Sequence, residues 1–107
     1  MLQEIMITED TKIPKTIKQR EYGDIRVIKV RVPVGGNFTL SLFDLAGYEK
    51  KEQLTQIDNP LSGETFEIGR TIAHDLAYTL KYPEDKRFQV VVVYEEVPPK
   101  MTPSGPL

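Results

Sequence analysis

The chain contains a single histidine, so His74 is the first side chain to weigh as a catalytic or metal-binding group. It is followed by Asp75, and an adjacent His–Asp pair suits a divalent metal when further histidines complete the site. The sequence offers no further histidine. At helical spacing His74 shares a face with Arg70 and Tyr78, away from the expected core. We therefore expect His74 to be a solvated side chain without a catalytic role.

A second group of residues with potential chemistry lies in the middle of the chain. Asp44 precedes Glu49-Lys50-Lys51, which fits the E-x-K pattern of nucleases, where acids hold Mg²⁺ and a lysine stabilises the transition state. The pattern has only three residues and no fixed spacing to Asp44, so a charged loop beside a turn is the preferred interpretation. A small metal-dependent nuclease or hydrolase is therefore one hypothesis for function, placed third after the two that are described below.

Basic charge is concentrated in one segment. Residues 12–31 hold seven bases against two acids, although the whole chain has a formal net charge of −2. On an exposed strand face, bases near aromatic rings form a platform where nucleobases stack and phosphates are neutralised; a solvated face offset by nearby acids is the competing interpretation. The second hypothesis is therefore a single-stranded nucleic-acid-binding protein that uses this segment. The candidate binding residues are Tyr22, Arg26, Lys29, Arg31 and Phe43.

Composition excludes several classes of protein. The chain has no cysteine, so disulfides, thiolate metal sites and thiol catalysis are ruled out. No glycine-rich loop precedes a helix, so we expect no phosphate-binding loop. We expect no cofactor and no bound metal, and an enzymatic role is disfavoured. The N-terminal residues carry acids where a signal peptide needs bases, and no stretch is apolar over the ~20 residues that span a bilayer. We therefore expect a cytoplasmic protein without a membrane partner.

The segment 25–45 is expected to organise the fold as two strands around a turn. Their apolar faces match when Val34 lies opposite Phe38, because a shift by one residue would move each apolar set to the other face. This register predicts a hairpin with the three-residue loop 35–37 and a positive φ within it.

Residues 64–82 show the strongest helical pattern, and Pro83 is placed to end a helix there. Strands are expected over residues 2–8 and 87–97, and the latter is apolar on both faces, as is typical of a central strand. The sequence therefore predicts an α+β fold: a mainly antiparallel sheet of about four strands with one long helix, residues 64–82, packed on one face. The apolar face of this helix would consist of Gly69, Ile72, Ala73, Leu76 and Leu80.

With 107 residues, the chain is expected to form a single domain over residues 1–97. Residues 98–107 contain four prolines and are expected to be a disordered tail.

One helix covers only one face of a sheet, and the opposite face is predicted to be too apolar for exposure in a monomer. Either the N-terminal segment and residues 46–60 fold over it, or a second subunit does. The first hypothesis is therefore a small non-catalytic binding or assembly module that acts through protein–protein association, as a homodimer or with another protein. The residues expected on this second face are Ile25, Val27, Lys29, Arg31, Thr39, Ser41, Phe43, Val91 and Val93.

Overall fold

All regular structure in the described part of the chain is β-strand, with no helix. The computed structural model describes residues 2–8, 15–18, 23–81 and 87–98. Burial alternates along much of each central strand, because successive side chains point to opposite faces. The strands are β1 Gln3–Thr8, β2 Lys15–Lys18, β3 Asp24–Val34, β4 Thr39–Ala46, β5 Glu49–Asp58, β6 Glu64–Ile72, β7 Asp75–Lys81 and β8 Gln89–Val97.

The strands pair as a nested antiparallel ribbon. β1 pairs with β8, β2 with β7, β3 with β6 and β4 with β5. Additional pairs, β3 with β8 and β4 with β7, fold this ribbon into two sheets. The first sheet has the order β1-β8-β3-β6 and the second has the order β2-β7-β4-β5. Two four-stranded antiparallel sheets connected in this way form a jelly roll.

The core lies between the two sheets. Val30 and Val92 of the first sheet and Leu40 and Leu42 of the second sheet are all fully buried. Burial of each such side chain stabilises the fold by about 1.5–3 kcal/mol. The chain therefore covers the apolar face of its first sheet with its own second sheet, which includes β5 from the segment 46–60.

The predicted helix over residues 64–82 is wrong. β6 and β7 occupy this segment and are joined by a short turn. Leu76 and Leu80 do enter the core, but they do so together with Tyr78, at the two-residue spacing of a strand. Gly69 has a φ of 62°, a left-handed conformation that an α-helix does not contain. An all-β fold with two sheets therefore replaces the α+β class.

The predicted hairpin around residues 35–37 is also wrong, because β3 and β4 belong to different sheets. Val32 and Leu40 are both buried as expected, but they reach the core from opposite sheets. None of the residues 35–37 has a positive φ. The segment is therefore a connection that crosses between the sheets, and the register of Val34 with Phe38 does not form.

Gly35 in this connection is required by a close approach of two loops. Its amide donates a hydrogen bond to Ser62 Oγ at 2.8 Å, and the next amide, of Gly36, donates to the carbonyl of Pro60 at 3.1 Å. A Cβ atom at Gly35 would lie 2.1 Å from the Pro60 carbonyl oxygen. Only glycine lets the β3–β4 and β5–β6 connections pack at this distance.

A bulge in β3 changes which of its side chains face the core. The register of β3 against both neighbouring strands shifts at Ile28. Because a bulge adds one residue to the strand, Ile25 and Val27 before it point the same way as Val30 after it. All three are fully buried in the core. The prediction that Ile25 and Val27 lie on a second, uncovered face is therefore wrong.

Other expectations from the sequence are confirmed. Residues 2–8 and 87–97 contain β1 and β8, and β8 lies between β1 and β3, as expected for a strand that is apolar on both faces. Beyond residue 98, the predicted tail lies outside the described residues. No helix in the described ranges has the length and apolarity needed to cross a membrane.

Candidate functional site

Three of the predicted binding residues lie together on the outer face of the first sheet. Arg26, Lys29 and Arg31 alternate with core residues of β3 and therefore point away from the second sheet. Arg26 forms an ion pair with Glu95 of β8, and Arg31 Nη2 lies 3.0 Å from Glu4 Oε1 of β1. By strand register, this outer face includes Glu4, Met6, Asp24, Arg26, Lys29, Arg31, Thr65, Glu67, Thr71, Val91, Val93 and Glu95.

The outer face of the first sheet carries no excess of positive charge. Its three bases share the face with four acids, Glu4, Asp24, Glu67 and Glu95, and the third base, Lys29, lies directly opposite Glu67 of β6. Exposed ion pairs of this kind stabilise a protein by only about 0.2–1 kcal/mol each. The acids have a larger effect on the electrostatic field, because a face without excess basic charge lacks the positive potential that attracts phosphates.

The two predicted aromatic residues do not join the three bases. Phe43 lies on β4 in the second sheet and points outward there; its ring is mostly buried, with Lys50 Nζ 4.7 Å from the ring centroid. Tyr22 lies outside the described residues. The basic segment 12–31 is itself divided, because β2 belongs to the second sheet and β3 to the first. The structure thus brings three of the five candidate residues together and separates Phe43 from them.

A small cleft of about 220 Å³ lies beside Phe43 on the second sheet. Ser41 and Thr79, which lie opposite each other on β4 and β7, line it with hydroxyl groups, and Lys50 adds an ammonium group. Sites for organic ligands usually enclose roughly 300–1,000 Å³. This cleft lies below that range, and its lining is mainly polar and charged.

The only buried charged side chain among the described residues is Asp44, near the end of β4. Its carboxylate oxygens lie 3.0 and 3.2 Å from Nδ1 of His74, in the turn between β6 and β7. The Asp44 side chain is 9% exposed and that of His74 is 43% exposed. The carboxylate thus orients the imidazole by accepting a hydrogen bond from Nδ1–H, as in catalytic His–Asp pairs. Within the described ranges Asp44 is the side chain hydrogen-bonded to His74, and this pair attaches the turn to β4.

This pair corrects the expectation for His74, which lies in a turn and not on the surface of a helix. One feature of the sequence indicates the partner of His74. Asp44 continues the alternation of Leu40 and Leu42, so it lies on the core-facing side of β4. A carboxylate at a core-facing position needs a hydrogen-bond donor, and the polar residues of nearby turns are the natural candidates.

The residues of the nuclease pattern do not converge. Glu49 Oε2 lies 3.0 Å from Lys51 Nζ, so the acid and the lysine of the pattern pair with each other. Asp44 lies opposite Glu52 in the β4–β5 register and is bonded to His74 instead. Within the described ranges no group of three or more His, Cys, Asp or Glu side chains is placed to hold a metal ion.

Exposed apolar side chains remain as candidates for interaction. In the described part of the chain, four large apolar residues are exposed: Leu2, Met6, Tyr48 and Leu61. Tyr48 and Leu61 lie singly, in the β4–β5 turn and in the β5–β6 connection. Leu2 and Met6 are 59% and 52% exposed, and they lie four residues apart at β1, on the same side of the strand.

Comparison with models of protein families, with curated proteins and with solved structures finds no match to this chain. The assignment to a jelly roll rests on strand order alone, and this fold hosts many unrelated functions. Function must therefore be argued from the surfaces.

Proposed function

We propose that this chain is a small non-catalytic module that acts through protein–protein association, first of all with a second copy of itself. The observation that carries the proposal is the exposure of Leu2 and Met6 on one side of a single strand at the edge of the first sheet. Leu2 and Met6 lie on the same side with Glu4 between them, and exposed apolar side chains rimmed by polar ones are typical of interaction surfaces. The cytoplasmic location expected from the sequence belongs to the same proposal.

Protein association is better supported than the binding of single-stranded nucleic acid. The three bases of β3 share their face with four acids, and Phe43 lies on the other sheet, with little of its ring accessible for stacking. A nucleic-acid site of the expected kind needs an unneutralised basic groove beside accessible rings. A metal-dependent nuclease has less support still, because Glu49 and Lys51 pair with each other.

The test is the molar mass in solution, measured by sedimentation or light scattering over a wide range of protein concentration. Self-association predicts a mass that rises from 12.2 kDa toward twice that value. A mass of 12.2 kDa at every concentration would contradict it. Retention on single-stranded oligonucleotides, falling steeply with salt, would favour the nucleic-acid hypothesis instead.

A further inference from the structure

We propose that the outer edge of β1 is the self-association site, and that two copies pair there as antiparallel strands related by a two-fold axis at Met6. The two first sheets would then form one continuous eight-stranded sheet. This inference rests on the proposed self-association and specifies the surface and the register. Its basis is a comparison of the four edge strands, because an exposed edge attracts another strand unless the protein protects it.

Two of the four edges lie on one side of the sandwich and are protected. β5 carries four consecutive charged residues, 49–52, and its register against β4 shifts twice. β6 is distorted at Gly69, which has a positive φ. Arg70 of β6 also forms an ion pair with Glu52 of β5, which links the two edges across the sandwich. Charges, bulges and mutual cover are the usual means of preventing edge-to-edge pairing.

The third edge, β2, is protected as well. It has only four residues, and its register against β7 shifts between Thr16 and Lys18. Short and bulged edges pair poorly with another strand.

β1 has none of these protective features. Its register with β8 is unbroken over six residue pairs, and it contains neither proline nor glycine. Among the described strands it is paired with β8 alone. Its single charged residue is Glu4, whose carboxylate is already paired with Arg31. β1 is therefore the regular and nearly neutral edge among the described strands.

The sequence of β1 favours a second copy over a foreign strand. Ile5-Met6-Ile7 reads the same in both directions, and a two-fold interface must be complementary to itself. With the axis at Met6, Ile5 lies opposite the partner subunit's Ile7. On the outer face Met6 lies opposite the partner subunit's Met6, which buries side chains that are 52% exposed in the single chain. Glu4 lies opposite the partner subunit's Thr8, so the two carboxylates stay apart.

Other two-fold registers are less favourable. An axis at Glu4 places Glu4 opposite the partner subunit's Glu4, and although Arg31 pairs with each carboxylate, two acids at directly opposed positions are less favourable than two methionines. An axis at Ile5 places Glu4 opposite the partner subunit's Met6 and leaves each methionine without an apolar neighbour across the interface. An axis between two residues would set core-facing side chains opposite outward-facing ones. Each copy has one unprotected edge among its described strands. The proposed pairing uses that edge in both copies, so it produces a dimer and not a larger assembly.

The first experiment compares two lysine substitutions at exposed apolar positions. Met6→Lys should raise the protein concentration at half-association on the order of 10-fold or more, because two ammonium groups would lie directly opposite each other. Leu61→Lys is the matched control: it adds the same charge at a residue that is 71% exposed and remote from β1 in the fold. Thermal unfolding of both variants confirms that they are folded.

The outcomes separate this inference from the broader proposal. A dimeric wild type with a monomeric Met6→Lys and a dimeric Leu61→Lys supports the β1 interface. If both variants remain dimeric, or both become monomeric, the β1 interface is wrong while self-association stands. If the wild type itself is monomeric, both proposals fail.

The second experiment tests the register by disulfide cross-linking. The chain has no cysteine, so Met6→Cys introduces the only thiol. Opposed residues on antiparallel strands have Cβ atoms about 4.5–5.5 Å apart, close to disulfide geometry after small adjustments. Under mild oxidation Met6→Cys should form a covalent dimer faster than Tyr48→Cys, whose thiol is fully exposed in the β4–β5 turn and reacts only through random collision. Equal rates would overturn the register with its axis at Met6.

Discussion

Replacement of His74 by alanine tests whether the buried carboxylate of Asp44 depends on its imidazole partner. Asp44 is the one buried charged side chain in the described ranges, and the hydrogen bond to His74 holds the β6–β7 turn against β4. In His74→Ala the carboxylate keeps its burial and loses this donor. A buried charge without a partner costs far more than the loss of an exposed ion pair.

The expected cost is about 2 kcal/mol in the free energy of unfolding. A hydrogen bond to a charged group contributes about 1.5–3 kcal/mol. Removing one partner of a fully buried pair costs roughly 3–5 kcal/mol, but the His74 side chain is 43% exposed, so water can enter and hydrate the carboxylate. For a domain of this size, the midpoint of thermal unfolding should fall by about 10 °C.

Chemical and thermal denaturation followed by circular dichroism measure this cost, with Arg31→Ala as the control. Arg31 and Glu4 also form an ion pair, but their side chains are 40% and 56% exposed, so its loss should cost only about 0.2–1 kcal/mol. In an Asp44→Asn background His74→Ala should cost less than in the wild type, because the buried charge is gone. If His74→Ala is no more destabilising than Arg31→Ala, the inference that this pair is structurally important is wrong.

Two further predictions concern packing and pH. Gly35→Ala should lower the free energy of unfolding by about 2–4 kcal/mol, since its Cβ would meet the Pro60 carbonyl oxygen at 2.1 Å and break the contacts between two loops. Gly36→Ala is the control, because its nearest contact is the Phe38 ring at 3.5 Å; equal costs in denaturant titrations would contradict the close-approach argument. Burial raises the pKa of the Tyr94 hydroxyl above its ordinary 10.0. The positive charge of Lys18 lowers this pKa and the negative charge of Glu96 raises it, both by less than burial does. The folded state therefore retains this proton more strongly than the unfolded state. Its contribution to the free energy of unfolding is fully present below pH 10 and is lost as the pH rises through the pKa of Tyr94 in the folded state. Tyr94→Phe should lose less stability than the wild type in this alkaline range. If the free energies of unfolding of the two proteins fall in parallel with pH, the loss does not come from the ionisation of Tyr94.

The parts of the fold that the sequence predicted correctly are those set by local periodicity. The continuous apolar run of β8 identified a central strand, and the short segment 2–8 identified β1. Residues 64–82 contain two competing periods. The helical spacing of Ile72, Leu76 and Leu80 suggested one face of a helix, while Leu76, Tyr78 and Leu80 alternate as in a strand. Which of the two structures forms depends on whether a neighbouring strand is available for pairing. Here β4 pairs along the length of β7, so the strand forms.

The remaining features depend on contacts that are distant in the sequence. The predicted register of residues 25–45 was internally consistent, but it assumed that two successive strands pair, and here they enter opposite sheets. The bulge at Ile28 reverses the face of every residue before it, which no alternation pattern reveals in advance. The contact between Asp44 and His74 joins residues 30 positions apart and exists only because β6, β7 and β4 meet at one end of the sandwich.

The strand order changes the role that we infer for the basic residues of β3. In the sequence they indicated a surface for phosphates, whereas in the fold Arg31 reaches across β8 to Glu4, the only charged residue of β1. Because this ion pair neutralises the one charge that would protect the β1 edge, it weakens the nucleic-acid hypothesis and favours strand pairing. The two hypotheses therefore predict different responses to Glu4→Gln. Removal of the acid makes the face more basic and should increase any retention of oligonucleotides if the face binds them. If β1 pairs with its own copy, the same substitution leaves the edge neutral, and the dimer should persist.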